Sequence, residues 1–226
     1  MGREFCQAVV FDFDGVIVQS NALKRRAFFD IFPAGAAAAV ETVLAAHREK
    51  SRFVIIALAL AAWRPAEHAP NDLDSPAVAA LAEAYNRIVE QGAIACPLVP
   101  GAGEALARLN ERLPLYLNSA TPLPSLRRIV AARGLGSYFR GVLGAPASKE
   151  DNLAAILADL GLKDGAGIVV VGDGRADLRA AQGFGCRFIG IENEFGALRG
   201  LAPLRPDLTG LADEIEALAG REAGHP

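Results

Sequence analysis

The run Ile168-Val169-Val170-Val171 sets four β-branched residues in a row with no polar residue between them. A strand with one wet face alternates apolar and polar residues. An unbroken run needs cover on both faces, which is the situation of a parallel sheet held between helices. From Gly101 onward the chain repeats this theme, with strands expected at Leu115–Asn118, Gly141–Leu143, Ile168–Val171 and Arg187–Ile191. Between and around them, helical patterns fall at Ala102–Asn110, Pro124–Arg133, Lys149–Leu160 and Ala176–Gln182, and Gln7–Phe11 supplies one more strand near the start. Such alternation predicts an α/β fold, a parallel-sheet Rossmann-like core with helices on both faces. Glu214–Ala219 reads as a short terminal helix, and Arg221–Pro226 as a fraying end.

The expected strands end in polar chemistry. Gln7–Phe11 runs into Asp12-Phe13-Asp14-Gly15, where period-two geometry sets both carboxylates on one side and Gly15 lets the backbone turn away. Leu115–Leu117 leads into Asn118-Ser119-Ala120-Thr121-Pro122, Val142-Leu143-Gly144 into Ala147-Ser148-Lys149, and Ile168–Val171 into Gly172-Asp173-Gly174-Arg175-Ala176-Asp177. Ligands of open parallel α/β sheets bind outside the carboxyl ends of the strands. An Asp pair, a hydroxyl, a lysine and a second Asp pair are therefore expected at one place. Crowded carboxylates repel unless compensated, most simply by a bound cation.

In this order and at this spacing, DFDGV, Ser119, Lys149 and GDGRAD resemble the four motifs of the haloacid dehalogenase-like hydrolases. The closer likeness is to the phosphatase branch, around phosphoglycolate phosphatases and β-phosphoglucomutases. Gly174 stands where many relatives carry Ser, a difference expected to change local hydrogen bonding rather than function. The resemblance implies an α-helical cap inserted after the first strand, and the sequence there is helical in texture. Helices are expected from Ser20-Asn21 through Phe32, from Ala36 to Arg48, over Phe53–Trp63 behind Ser51, and from Ser75-Pro76 through Val89, with Gly92–Pro100 as a linker. Residues 1–16 with 96–226 are thus assigned to the catalytic core and 17–95 to the cap.

Asp12 is the expected nucleophile, since a carboxylate attacking phosphorus gives an aspartyl-phosphate and splits one hard hydrolysis into two easier steps. Asp14 is the expected general acid/base, protonating the leaving alkoxide and then activating water. Asp12, Asp14 and Asp173 are the expected Mg²⁺ ligands, oxygen donors for a hard cation, with the role of Asp173 implied by the resemblance. The Ser119 hydroxyl and the Ala120 N–H would bind phosphate, as would Lys149. Thr121 is a competing hydroxyl, though the family register favours Ser119. A lysine in the first turn of its helix is disfavoured by about 0.3–1 kcal/mol, so Lys149 calls for an anionic partner. Asp177, one turn into its helix, is expected to orient Lys149 or a metal-bound water. In the cap, Arg48 and Arg52 flank a helix-helix turn and are expected to read a second anionic or polar group on the substrate.

The remaining features fit a small-metabolite enzyme. Across 226 residues the formal net charge is −3, which gives no reason to expect nucleic acid or an anionic membrane as partner. Phe53–Ala62 is too short to cross a bilayer, and Met1-Gly2-Arg3-Glu4 shows no cleavable signal pattern, so a cytoplasmic location is expected. Cys6, Cys96 and Cys186 lie far apart without a CxxC pair and indicate neither a disulfide framework nor a zinc site. The expected activity is Mg²⁺-dependent hydrolysis of a small phosphate monoester. A phosphomutase of the same family would share every core residue. A receiver-like signalling domain also uses acids, a hydroxyl and a lysine on a parallel sheet, but the helical block directly after the first strand speaks against it.

Overall fold

The structure, a computed structural model, describes residues 6–47 and 50–219. Along the chain, β1 (Ala8–Phe11) is followed by helices α1 (Asn21–Asp30), α2 (Ala37–His47), α3 (Arg52–Trp63) and α4 (Pro76–Ala95). Next come α5 (Ala102–Asn110), β2 (Leu115–Pro122), α6 (Leu123–Ala132), β3 (Gly141–Ala145), α7 (Lys149–Leu160) and β4 (Ile168–Gly172). The chain then forms α8 (Arg175–Phe184), β5 (Arg187–Ile191), β6 (Leu204–Arg205) and α9 (Leu211–Ala219).

The strands form one parallel six-stranded sheet in the order β3-β2-β1-β4-β5-β6, with Val10 paired to Tyr116 on one side and Val170 on the other. Every residue of β1 and β4 is buried, as the unbroken apolar runs require. Ala8, Val10, Ile168 and Val170 pack with Leu153 and Ile156 of α7 and with Ala180 and Ala181 of α8. Val9 and Phe11, also fully buried, point the opposite way. Right-handed crossovers explain the two layers, because β1 to β3 step in one direction and β3 to β5 step back, sending α5 and α6 to one face and α7 and α8 to the other. The direction of winding reverses between β1 and β4, and it is outside the carboxyl ends of such strands that open parallel sheets bind ligands.

Ser20–Ala93 form a separate compact unit with an apolar core of their own. Phe28, Val40, Ile56, Leu60, Val78 and Val89 are buried in it, and Phe28 meets Tyr85 with ring centroids 4.5 Å apart. Ser51 caps α3 by accepting from the Val54 N–H, whereas Ser20 sits at the N-cap of α1 without a side-chain capping bond. The expected linker is shorter than its composition suggested, since α4 runs on through Gly92 to Ala95. Gly92 is tolerated inside the helix because the Leu23 side chain packs where a Cβ would stand, 2.5 Å away.

Candidate active site

Four chain segments build the site, and each is held by local structure. Asp12 follows β1 directly and its N–H still donates to the Val171 carbonyl at 2.9 Å, so the residue keeps the register of the sheet. Its Oδ1 accepts from the Phe13 N–H at 2.7 Å, which fixes the carboxylate and leaves Oδ2 facing Lys149. The chain then turns sharply. Gly15 adopts φ 77° and donates to the Val18 carbonyl, and both Ile17 and Val18 donate back to Phe13. A side chain at position 15 would strain this turn, which carries Asp14.

The second segment departs from expectation. Ser119 and Ala120 do not lie beyond a strand ending at Asn118, because β2 continues to Pro122. Asn118 pairs with Leu143 and Pro122 with Ala145, so two extra residues bulge out of β2 between these points. Gly144 makes room for the bulge, since a Cβ there would lie 2.6 Å from the Thr121 carbonyl oxygen. The bulge turns two hydroxyls onto Asp14: Thr121 Oγ1 donates to Asp14 Oδ2 at 2.9 Å, and Ser119 Oγ lies 3.5 Å from the same oxygen. Ser119 Oγ also accepts from the Thr121 N–H at 3.1 Å. Ser119 is buried, whereas Ala120 is exposed at the end of the strand.

Lys149 opens α7 behind the Ser148 cap, whose hydroxyl accepts from Asp151 while Asp151 reaches back. Its ammonium is buried between Asp12 Oδ2, at 2.9 Å, and Asp177 Oδ1. Asp177 also accepts from the Gly174 N–H through Oδ2, closing the first turn of α8. This arrangement depends on Gly172, where a Cβ would fall 2.3 Å from the Asp177 Cβ. The two carboxylates that offset the unfavourable helix-end position of Lys149 are therefore Asp12 and Asp177.

Burial sets the electrostatics. It pushes the Asp12 carboxyl up, against the pull of Lys149 and together with the repulsion of Asp177 and Asp14, to about 7. Burial likewise raises Asp177, with Lys149 opposing. For Lys149 burial works downward, but Asp12 and Asp177 outweigh it and hold the ammonium above the ordinary lysine range. Carboxylate oxygens of Asp12, Asp173 and Asp177 lie within 4.8 Å of one another, all three residues buried. Three hard oxygen donors against one lysine leave an excess of negative charge, a donor set that suits a hard divalent cation such as Mg²⁺. Among the described residues Asp14 is not in that group, its carboxylate being turned to Thr121 and Ser119.

Of the arginines expected to read substrate, Arg48 lies outside the described residues. Arg52 donates to Asn86 Oδ1 at 2.6 Å and its guanidinium lies over the Phe53 ring at 5.6 Å, both contacts within the helical unit. Two groups of site residues escaped the sequence reading. Asn118 donates to the Lys149 carbonyl at 2.9 Å and accepts from Asn152 at 3.0 Å, a buried amide pair behind the lysine. Asn193, two residues past β5, donates to Asp173. The signal that could have found it is the one used elsewhere, a polar residue just beyond the carboxyl end of a strand.

The sequence model of the haloacid dehalogenase-like hydrolases matches residues 6–185. The chain belongs to that family. This haloacid dehalogenase-like hydrolase is 29% identical to a phosphoglycolate phosphatase of Yersinia pseudotuberculosis over 225 residues, covering 94% of this chain and 93% of the relative. A phosphoglycolate phosphatase of Pectobacterium atrosepticum is 31% identical over 134 residues, covering 54% and 55%. Among solved structures, CbbY of Rhodobacter sphaeroides, in complex with phosphate, superposes with a TM-score of 0.65 at 22% identity, over 92% of this hydrolase and 96% of that chain. A haloacid dehalogenase-like family protein of Streptococcus pneumoniae gives 0.64 at 16% identity, over 92% and 98%. The hydrolase is an enzyme of the phosphatase kind, with the family's six-stranded parallel core.

Proposed function

We propose that the chain hydrolyses a small phosphate monoester through an aspartyl-phosphate on Asp12, with Mg²⁺ as cofactor. The observation that carries this reading is the division of labour between the two aspartates of one turn. Asp12 is bound to the lysine and grouped with Asp173 and Asp177, while Asp14 is bound to hydroxyls. A nucleophile needs the first environment and a proton carrier the second.

Asp12 and Asp173 would hold Mg²⁺, with Asp177 beside them. When bound, the ion neutralises phosphoryl charge and offsets the repulsion among the carboxylates. The chain's own residues do the rest. Lys149, the Ser119 hydroxyl and the Ala120 N–H bind the phosphoryl oxygens. An oxygen of Asp12 forms the bond to phosphorus as the ester P–O bond breaks, and Asp14 delivers its proton to the departing alkoxide. Water then attacks the acyl phosphate, Asp14 takes a proton from it, and the Asp12–phosphorus bond breaks to release inorganic phosphate. On this reading the helical unit is the family's inserted cap. 2-Phosphoglycolate is the first substrate to try, because full-length relatives carry that name.

The test is phosphate release from a panel of monoesters, headed by 2-phosphoglycolate and including an aryl phosphate, with Mg²⁺ and with excess chelator. Turnover of at least one member, lost on chelation, is expected. Full activity in chelator, or no hydrolysis of any member by folded protein, would overturn the reading.

A further inference from the structure

Asp173 is held by a side chain from the loop that follows β5. The Nδ2 amide of Asn193 donates both to the Asp173 carbonyl, at 2.9 Å, and to Asp173 Oδ2, at 3.0 Å. Its Oδ1 accepts from the Phe195 N–H at 3.0 Å, and its own carbonyl accepts from the Gly196 N–H at 3.1 Å. Both donors of the amide and its oxygen are thus engaged, and the side chain is locked to its own turn and to Asp173 at once. Main-chain and side-chain bonds to the same residue fix the carboxylate relative to its backbone. The Asp177 carboxylate nearby would push an unrestrained Asp173 side chain away.

We infer that Asn193 is a positioning residue that pre-orients Asp173 for the divalent cation. The inference rests on the reading above that Asp173 holds Mg²⁺. Partners that orient a metal-binding carboxylate contribute about ten- to a hundredfold to metal affinity.

The test is calorimetric titration of Mg²⁺ into the full chain after chelator treatment. Asn193→Ser keeps an oxygen able to accept from the Phe195 N–H but has no amide to reach Asp173. It is expected to bind Mg²⁺ about tenfold or more weakly, to melt like wild type in chelator, and to regain lost activity as Mg²⁺ is raised. Asn193→Ala, which gives up the turn as well, should show the same loss of affinity should the serine variant fold poorly. Glu192→Ala removes the Arg199 bridge of the same loop without touching Asp173 and is expected to bind Mg²⁺ as wild type does. Wild-type affinity in Asn193→Ser, or an equal loss in Glu192→Ala, would overturn the inference while leaving the metal site standing. Wild-type Mg²⁺ binding by Asp173→Asn would instead overturn the metal assignment, and this inference with it.

Discussion

Asp12 and Asp14 are separated by one residue yet live in different chemistries, and that difference can be tested one side chain at a time. Asp12→Asn keeps the size of the side chain and the Oδ1 contact to Phe13 but loses the carboxylate proposed as nucleophile. Phosphate release is expected to fall at least about a thousandfold, with the melting curve still cooperative. Thr121→Val removes the 2.9 Å donor to Asp14 at nearly constant volume. Since the proton matters most for a poor leaving group, kcat on an alkyl phosphate is expected to drop about tenfold, with a much smaller change on an aryl phosphate. The two glycines around Asp173 should part company as well. Gly172→Ala drives a methyl into Asp177, 2.3 Å away, and is expected to cost about 1–3 kcal/mol of stability by denaturant unfolding, with loss of activity. Gly174→Ser meets only Asp177 Oδ2 at 3.2 Å, in an extended backbone that serine adopts freely at an N-cap. Its stability should stay within about 1 kcal/mol of wild type.

At the level of elements, the lysine is placed by a helix and the helix by buried amides. Asn118→Ala would leave the Asn152 amide without its acceptor in a dry interior and take away the second donor to the Lys149 carbonyl, which keeps its helical bond. Urea unfolding should show a loss of about 1–3 kcal/mol for the group left unpaired, and kcat should fall as the start of α7 shifts. Much of the element order was legible in the sequence because burial on both faces leaves runs such as Ile168–Val171 with no polar residue, and caps such as Ser51 mark where a helix must begin. What escaped has a physical reason in each case. Gly92 reads as a helix breaker until Leu23, far away in sequence, covers it. Asn118–Pro122 is polar and ends in proline, so nothing local shows that the strand continues through a bulge made possible by Gly144 on its neighbour. β6 has two residues, too few for any periodicity. Within the site, Asp12, Ser119, Lys149 and Asp173 could be named from strand ends and motif order. The attachment of Asp14 to Thr121 and of Asp173 to Asn193 depends on tertiary geometry that spacing does not encode.

For the whole molecule, the sulfur chemistry is structural and shows at high pH. Burial pushes the Cys6 thiol up to about 11, with smaller opposing contributions from the Ala8 backbone and Arg187, and burial with Asp164 takes Cys186 to about 11 as well. An acid whose folded value lies above its unfolded value, here 9.0, stabilises the fold fully below that unfolded value. The contribution is lost as pH rises through the folded value, because the unfolded chain has already given up its proton. Thermal unfolding midpoints should therefore hold to about pH 9 and decline toward pH 11, more shallowly in a Cys6→Ala Cys186→Ala variant. Among the described residues no single helix is long and apolar enough to cross a membrane.

The place of β1 in the middle of the sheet has a consequence for the order in which the chain assembles. Val9 and Val10 are made early, but their partners, Leu115 and Tyr116 on one side and Val169 and Val170 on the other, come only far downstream. The first strand must wait, its edges unsatisfied, while the helical segment that follows can already gather around Phe28, Ile56 and Tyr85. Closing so long a loop carries an entropy cost that grows only slowly with length, so the intervening unit is an affordable insertion once it has collapsed. During synthesis, then, Asp12 meets Lys149 and Asp173 last.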